Sequence, residues 1–116
     1  MKLKDIIQIL NATTHYLKDD NNDIEITTSA ASDLMSDILA SVHVPDLLLS
    51  ALNNAQLIRT CAVFGIKAVV IVRNRPVSEK LIEVAKEEDI TLLSTENSLY
   101  IASGKLFSKG IKGVCA

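Results

Sequence analysis

Aromatic side chains are scarce in this 116-residue chain, which has two Tyr, two Phe and no Trp. Proteins that bind bases or sugars by stacking them on aromatic faces need more such rings, which argues against that class. The net charge of −2 and the pI of about 5.6 provide no general attraction to phosphate backbones. We therefore predict no nucleic-acid partner.

Glycine is also scarce, with four residues at positions 65, 104, 110 and 113. Neither a phosphate-binding P-loop nor a G-x-G-x-x-G turn fits these positions, and no serine lies in a G-x-S-x-G elbow. His15 and His43 have no cysteine at zinc-ligand spacing. The sequence thus predicts no catalytic residue, no metal and no cofactor.

Two cysteines, Cys61 and Cys115, are too few for a disulfide framework. We predict that Cys61 is buried in a helix and that Cys115 is exposed and free. The longest apolar run, Ala68–Val72, is far shorter than the 18 to 20 residues, roughly, that span a membrane. No signal-peptide pattern opens the chain, so we expect a cytoplasmic protein without membrane contact.

Large aliphatic residues, by contrast, are abundant: 37 of the 116 residues are Leu, Ile or Val. They can form a core without disulfides or metals. From residue 46 onward, short apolar runs at 47–49, 68–72 and 90–93 alternate with helical patterns. This alternation predicts an α/β domain with a mostly parallel sheet flanked by helices. The expected helix caps are Asn53 or Asn54, Ser78, and Thr95 or Asn97.

The first 45 residues predict shorter elements. Residues 1–10 have the periodicity of an amphipathic helix. His15–Leu17 is expected to be extended, 18–23 to be a surface loop, and the alternating segment Asp23–Thr27 to be a strand. Residues 28–32 are small and polar. Ser32 or Asp33 can cap a helix that carries Leu34, Met35, Ile38 and Leu39 on its apolar side.

Charge is divided unevenly between the two halves of the chain. Residues 1–58 carry three lysines and eight carboxylates, a net −5, whereas residues 59–116 carry nine basic and six acidic side chains, a net +3. Opposite surfaces would favour self-association. The alternative is that folding mixes the halves and removes the asymmetry in space.

A candidate ligand site follows from the predicted sheet. Ligands of parallel sheets bind outside the carboxyl ends of the strands, and here those ends are polar. Two of them lead directly into helix N-termini, which attract anions, and two arginines add positive charge. We predict that a small anionic or nucleotide-like ligand binds here, unless the Ser, Thr and Asn residues serve only as helix caps. The candidate residues are Ser50, Asn53, Asn54, Arg73, Arg75, Thr95 and Asn97.

Several short segments of the sequence, taken together, resemble the DRTGG domain family over residues 1–113. They are Asp33–Leu39, Leu47–Ser50, Asn53–Thr60, Ala68–Arg73 with Pro76, Ile90–Thr95, and Leu106–Phe107 with Gly110–Ile111. The resemblance implies one DRTGG-like domain over residues 1–116, a three-layer α/β fold similar to the N-terminal domain of Mur ligases and to the N-terminal region of HPr kinase/phosphatase. It also implies a module that accompanies enzymes, as between the CBS domains of some pyrophosphatases.

The chain departs from the family pattern at its candidate site. The Asp-Arg-Thr-Gly-Gly string is absent, Ser50-Ala51 stands where many relatives have Thr-Gly, and Arg73-Asn74-Arg75 stands where they tend toward Arg-Gly-Lys. Without these glycines a ligand approaches the backbone less closely. Arg75 still supplies the second positive charge.

Two functions of different classes are therefore compared. The favoured one is a non-catalytic regulatory and assembly module, a homodimer that pairs with itself or an enzyme partner and senses a small anionic ligand. The alternative is an HPr-kinase-like enzyme or accessory subunit acting on phosphorylated substrates. That alternative needs a nucleotide-binding loop and a general base, and the sequence has no motif for either.

Overall fold

The computed structural model describes residues 1–18, 24–40 and 43–114, and these build one six-stranded sheet with five helices. In chain order the elements are α1 (Leu3–Leu10), β1 (Thr13–Tyr16), β2 (Thr28–Ala31), α2 (Met35–Leu39), β3 (Leu47–Ser50), α3 (Ala55–Phe64), β4 (Ala68–Ile71), α4 (Glu79–Glu88), β5 (Thr91–Ser94), α5 (Leu99–Ser108) and β6 (Lys112–Gly113). The predictions for Cys115, for residues 19–23 and for the side chain of Leu39 lie outside the described residues.

The strands lie in the order β1-β5-β4-β3-β2-β6. Every pair from β5 to β6 is parallel, and β1 alone runs antiparallel, beside β5. The predicted α/β class with a mostly parallel sheet is therefore confirmed. Among the described residues, no helix is long and apolar enough to cross a bilayer.

The sheet is covered by helices on both faces because its central strands are apolar at every position. In β4, Ala68 and Val70 pack toward α1 and α5, whereas Val69 and Ile71 pack toward α3 and α4. All four are fully buried. This is the two-sided burial that a strand without alternation predicts.

The second strand lies later in the chain than predicted. The expected strand Asp23–Thr27 is wrong: within its described part, Glu25 makes only an isolated bridge to Lys2, and β2 is formed by the small residues Thr28–Ala31. These residues lack an apolar alternation, yet the backbones of β3 and β6 pair with them on both sides. Backbone pairing with two neighbours thus creates a strand where the side chains give no signal.

Helix caps were predicted correctly for two helices. Asn54 Oδ1 accepts from the Leu57 N–H at 3.0 Å, and Ser78 Oγ accepts from the Leu81 N–H at 3.1 Å. Gly65, at φ +78°, ends α3 as expected.

Two other cap predictions are wrong. Ser98, rather than Thr95 or Asn97, caps α5. Neither Ser32 nor Asp33 caps α2, because the N-cap position is Leu34 and no side chain caps the helix there. Leu34, which was expected on the apolar side of the helix, is 57% exposed.

Other elements differ in position from their predictions. The extended segment predicted at His15–Leu17 corresponds to strand β1, which begins two residues earlier, at Thr13. Strand β5 begins at Thr91, one residue later than the strand predicted at 90–93. Strand β6 was not predicted, because two exposed residues carry no hydrophobic pattern. The predicted burial of Cys61 is confirmed, and burial raises the pKa of its thiol to about 12.

Strand β1 carries a pH-dependent contact. His15 Nε2 lies 2.8 Å from Ser94 Oγ, across the β1–β5 pair. Partial burial lowers the pKa of His15 below its ordinary value of 6.5, because desolvation penalises the imidazolium.

Stability should therefore fall as the pH drops through and below 6.5, since the unfolded chain binds a proton that folded His15 resists. Urea unfolding at several pH values measures this. Replacement His15→Gln keeps a polar partner for Ser94 and should flatten this part of the pH profile. An unchanged profile in the variant would contradict the assignment.

Candidate functional site

Three parallel strands end at one level at the carboxyl edge of the sheet. Ser50 of β3 lies opposite Ile71 of β4, and Ile71 lies opposite Ser94 of β5. The segments 51–54, 72–77 and 95–98 therefore leave the sheet side by side. This register brings the predicted site residues to one edge of the sheet. That a ligand binds there remains a prediction.

The segment after β4 is fastened to the segment after β5 by its backbone. The Arg73 N–H donates to the Asn97 carbonyl at 2.8 Å, and the Asn74 N–H donates to the Thr95 carbonyl at 3.0 Å. Arg73 and Asn74 adopt left-handed φ values of +64° and +53°, which asparagine tolerates better than most residues. These two amides are used within the protein, so a ligand meets side chains here rather than free backbone donors.

The asparagines after β3 have separate tasks. Asn54 caps α3, while the side-chain amide of Asn53 donates to the Pro76 carbonyl at 2.8 Å. Asn53 thereby joins the segment after β3 to the one after β4.

Ser50 is fully buried and does not face the edge surface. Its hydroxyl accepts from the Leu52 N–H at 3.1 Å and donates to Asp33 Oδ1 at 3.5 Å. The same Asp33 oxygen accepts from the Ala51 N–H at 2.6 Å. The Asp33 carboxylate therefore already accepts the hydrogen bond of the backbone N–H that follows β3. This N–H is not available to an incoming anion.

Thr95 and Asn97 close the C-terminus of α1 instead of opening α5. The Thr95 hydroxyl and the Asn97 side-chain amide both donate to the Leu10 carbonyl, at 2.7 and 2.8 Å. Thr95 is buried, and its oxygen also accepts from Asn97. Lys105 Nζ donates to Asn97 Oδ1 at 3.0 Å. This cluster satisfies a carbonyl that a helix end leaves without a partner in its own helix.

The positive groups at this edge are exposed. Arg73 and Arg75 are both exposed, and neither forms an ion pair with another residue in the described part of the chain. Guanidinium groups bind phosphate and carboxylate oxygens in a bidentate geometry. No group of three His, Cys, Asp or Glu in the described residues could hold a metal ion.

Two grooves lie beside β2. One, of about 720 Å³, runs between α5 and the β2–β6 pair and includes Tyr100, Phe107 and Val114. The other, of about 350 Å³, lies between α2 and the end of α3 and includes Ile38, Val44 and Phe64. Both are mainly apolar in their side chains, and neither contains Arg73 or Arg75.

Comparisons with known proteins identify the fold. Neither protein-family profiles nor curated protein sequences match the chain. A solved structure, the CBS and DRTGG domains of the regulatory region of Clostridium perfringens pyrophosphatase complexed with the activator diadenosine tetraphosphate, superimposes on 90% of this chain with a TM-score of 0.72 and 16% sequence identity. The match covers 45% of that longer chain. The protein therefore has a DRTGG-like fold.

Asp33 is the residue at this edge that sequence reasoning assigned differently. Its residue type, just before a helical apolar pattern, predicted a helix cap. Because β2 at Thr28–Ala31 pairs in parallel with β3, the segment after β2, which contains Asp33, leaves the sheet beside the segment after β3. A sequence prediction that placed β2 at residues 28–31 would have located Asp33 at this edge of the sheet.

The Thr95 cluster predicts a measurable contribution to stability. Replacement Thr95→Val removes a buried hydroxyl that donates to the Leu10 carbonyl, and should lower the free energy of unfolding by about 1–2 kcal/mol. The matched control Thr13→Val, at an exposed threonine of β1, should change it by less than about 0.5 kcal/mol. Equal effects of both variants in urea unfolding would contradict the role of Thr95.

Proposed function

We propose that this chain is a non-catalytic regulatory and assembly module of the DRTGG type that binds a small anionic, nucleotide-like ligand through Arg73 and Arg75. The observation that carries the proposal is a pair of exposed arginines in the segment after β4. This segment lies at the edge where the carboxyl ends of three parallel strands are in register. Such edges are the usual ligand-binding positions of open α/β sheets.

The structural neighbour supports the class of ligand. That protein's regulatory region was solved with diadenosine tetraphosphate as its activator. We infer that an adenine nucleotide with several phosphates is the first ligand to test here. Its charge density suits two guanidinium groups, which provide a fixed geometry for phosphate oxygens.

The geometry predicts modest, side-chain-driven affinity. The amides of Arg73 and Asn74 are bonded within the protein, and the amide of Ala51 is bonded to Asp33. Binding would thus depend on exposed charges, whose attraction is screened by salt. A sensor with this chemistry responds at high ligand concentration, and its affinity for the ligand falls as ionic strength rises.

Assembly is the second part of the proposal. We propose that the module forms a homodimer and acts beside an enzyme partner. The apolar grooves and the exposed large hydrophobic residues, among them Tyr100 and Phe107, provide surface for such contacts. Exposed apolar patches of this kind are typical of association sites.

Adenine nucleotides should stabilise the protein against heat. With millimolar ATP in low-salt buffer, we expect the midpoint to rise by a few degrees, because a ligand of the folded state shifts unfolding by mass action. The double variant Arg73→Gln/Arg75→Gln should lose this shift, while Arg59→Gln, at an exposed arginine of α3, should keep it. NaCl of matched ionic strength is the buffer control. An equal shift in the double variant would contradict the assigned site.

Removal of the Asp33 charge should strengthen anion binding. Replacement Asp33→Asn leaves an oxygen that accepts from the Ala51 N–H but removes a like charge from the edge, so the dissociation constant for ATP should fall roughly two- to tenfold. Glu25→Gln changes a carboxylate that precedes β2, at the amino end of the strand, and should leave affinity unchanged. Titration calorimetry measures both; identical affinities would exclude an effect of Asp33.

A further inference from the structure

A third cationic group lies at the carboxyl edge of the sheet, although its residue belongs to α5. The ammonium of Lys105 donates to Asn97 Oδ1 at 3.0 Å. The backbone carbonyl of the same asparagine accepts from the Arg73 N–H at 2.8 Å. One residue therefore connects the Lys105 ammonium to the backbone of Arg73, and the two nitrogen atoms lie at most about 11 Å apart.

Helix geometry explains why this lysine reaches the edge. Helix α5 begins next to the edge, directly after its cap Ser98, and the side chains of a helix tilt toward its N-terminus. The stem of Lys105 therefore extends back toward Asn97. Lys109 lines the same shallow groove between α1 and α5, but its Cα lies one turn, about 6 Å, further from the edge. The helix thus carries two lysines on one side, of which Lys105 is the nearer to the arginines.

The charge balance of the edge depends on this ammonium. In the three segments that leave the sheet here, Arg73 and Arg75 are accompanied by the exposed carboxylate of Glu96. Asp33 adds a second carboxylate, which is bonded to the N–H that follows β3. The first two residues of α4, one acidic and one basic, offset each other. These charges sum to zero, so Lys105 gives the described part of the edge the net positive charge that attracts a polyanion.

We propose that Lys105 is the third phosphate-binding group of this site and makes it selective for a polyphosphate chain over a single phosphate. A single phosphate that is held by the two guanidinium groups leaves the ammonium on Asn97. A longer chain brings further anionic oxygens, which bind an ammonium more strongly than the neutral amide oxygen of Asn97 does. Because Lys105 is exposed, exchanging one hydrogen-bond partner for the other costs little.

This inference rests on the proposed function, because it concerns the same site. The test is titration calorimetry of the full chain with ATP and with AMP in low-salt buffer. Lys105→Gln keeps an amide that can donate to Asn97 but removes the charge, so its dissociation constant for ATP should rise about three- to tenfold. Lys105→Arg keeps the charge and should bind ATP like wild type. The matched control is Lys109→Gln, which should also bind ATP like wild type.

Two further readouts separate a phosphate contact from a structural role of Lys105 in the Asn97 cluster. The affinity of Lys105→Gln for AMP should change no more than that of Lys109→Gln, because a single phosphate does not engage the ammonium. The ATP affinity of Lys105→Gln should also depend less steeply on NaCl concentration than that of wild type, since one attraction fewer is screened. A structural role would weaken AMP and ATP binding alike and leave the salt dependence unchanged.

The failure of this inference differs from the failure of the proposed function. Equal ATP affinities of wild type and Lys105→Gln would overturn the role of Lys105. Equal losses in Lys105→Gln and Lys109→Gln would do the same. In both cases the arginine site stands if Arg73→Gln/Arg75→Gln still abolishes ATP binding. A wild type that binds no ATP at millimolar concentration would refute the arginine site and the role of Lys105 together. Urea unfolding verifies that every variant is folded.

Discussion

Burial of the three central strands on both faces is the constraint on which the rest of this structure depends. Every residue of β3 and β4 is buried, and so are the first three residues of β5. Their side chains alternate between two apolar layers, one against α1 and α5 and the other against α3 and α4. An unpaired polar group in such a layer is costly, so polar chemistry is confined to the ends of the strands.

At the carboxyl ends, much of that polar chemistry is used to hold the fold together. Thr95 and Asn97 bind the last carbonyl of α1, and Asp33 binds the amide after β3. These bonds connect elements that are far apart in the chain. The groups left over are the exposed arginines, which explains why the proposed ligand site depends on charge and not on a backbone cradle.

The elements that sequence reasoning located are those with a strong local signal. Continuous apolar runs located β3, β4 and β5, and Asn54, Ser78 and Gly65 marked helix ends by their own chemistry. Strand β2 has no such signal, because its small residues are ordered by the backbones of β3 and β6. The contacts of Asp33 and Thr95 depend on tertiary neighbours in the same way, so their residue types predicted helix caps instead.

We propose above that a nucleotide-like anion binds at the carboxyl edge of the sheet. The most direct measurement is a titration of the ¹⁵N-labelled protein with ATP, followed by amide chemical shifts. Concentration-dependent shifts are expected only for residues 73–75, residues 95–98 and Asn53, which surround the arginines. Shifts confined to the groove beside α5, or no shifts at millimolar ATP, would contradict it.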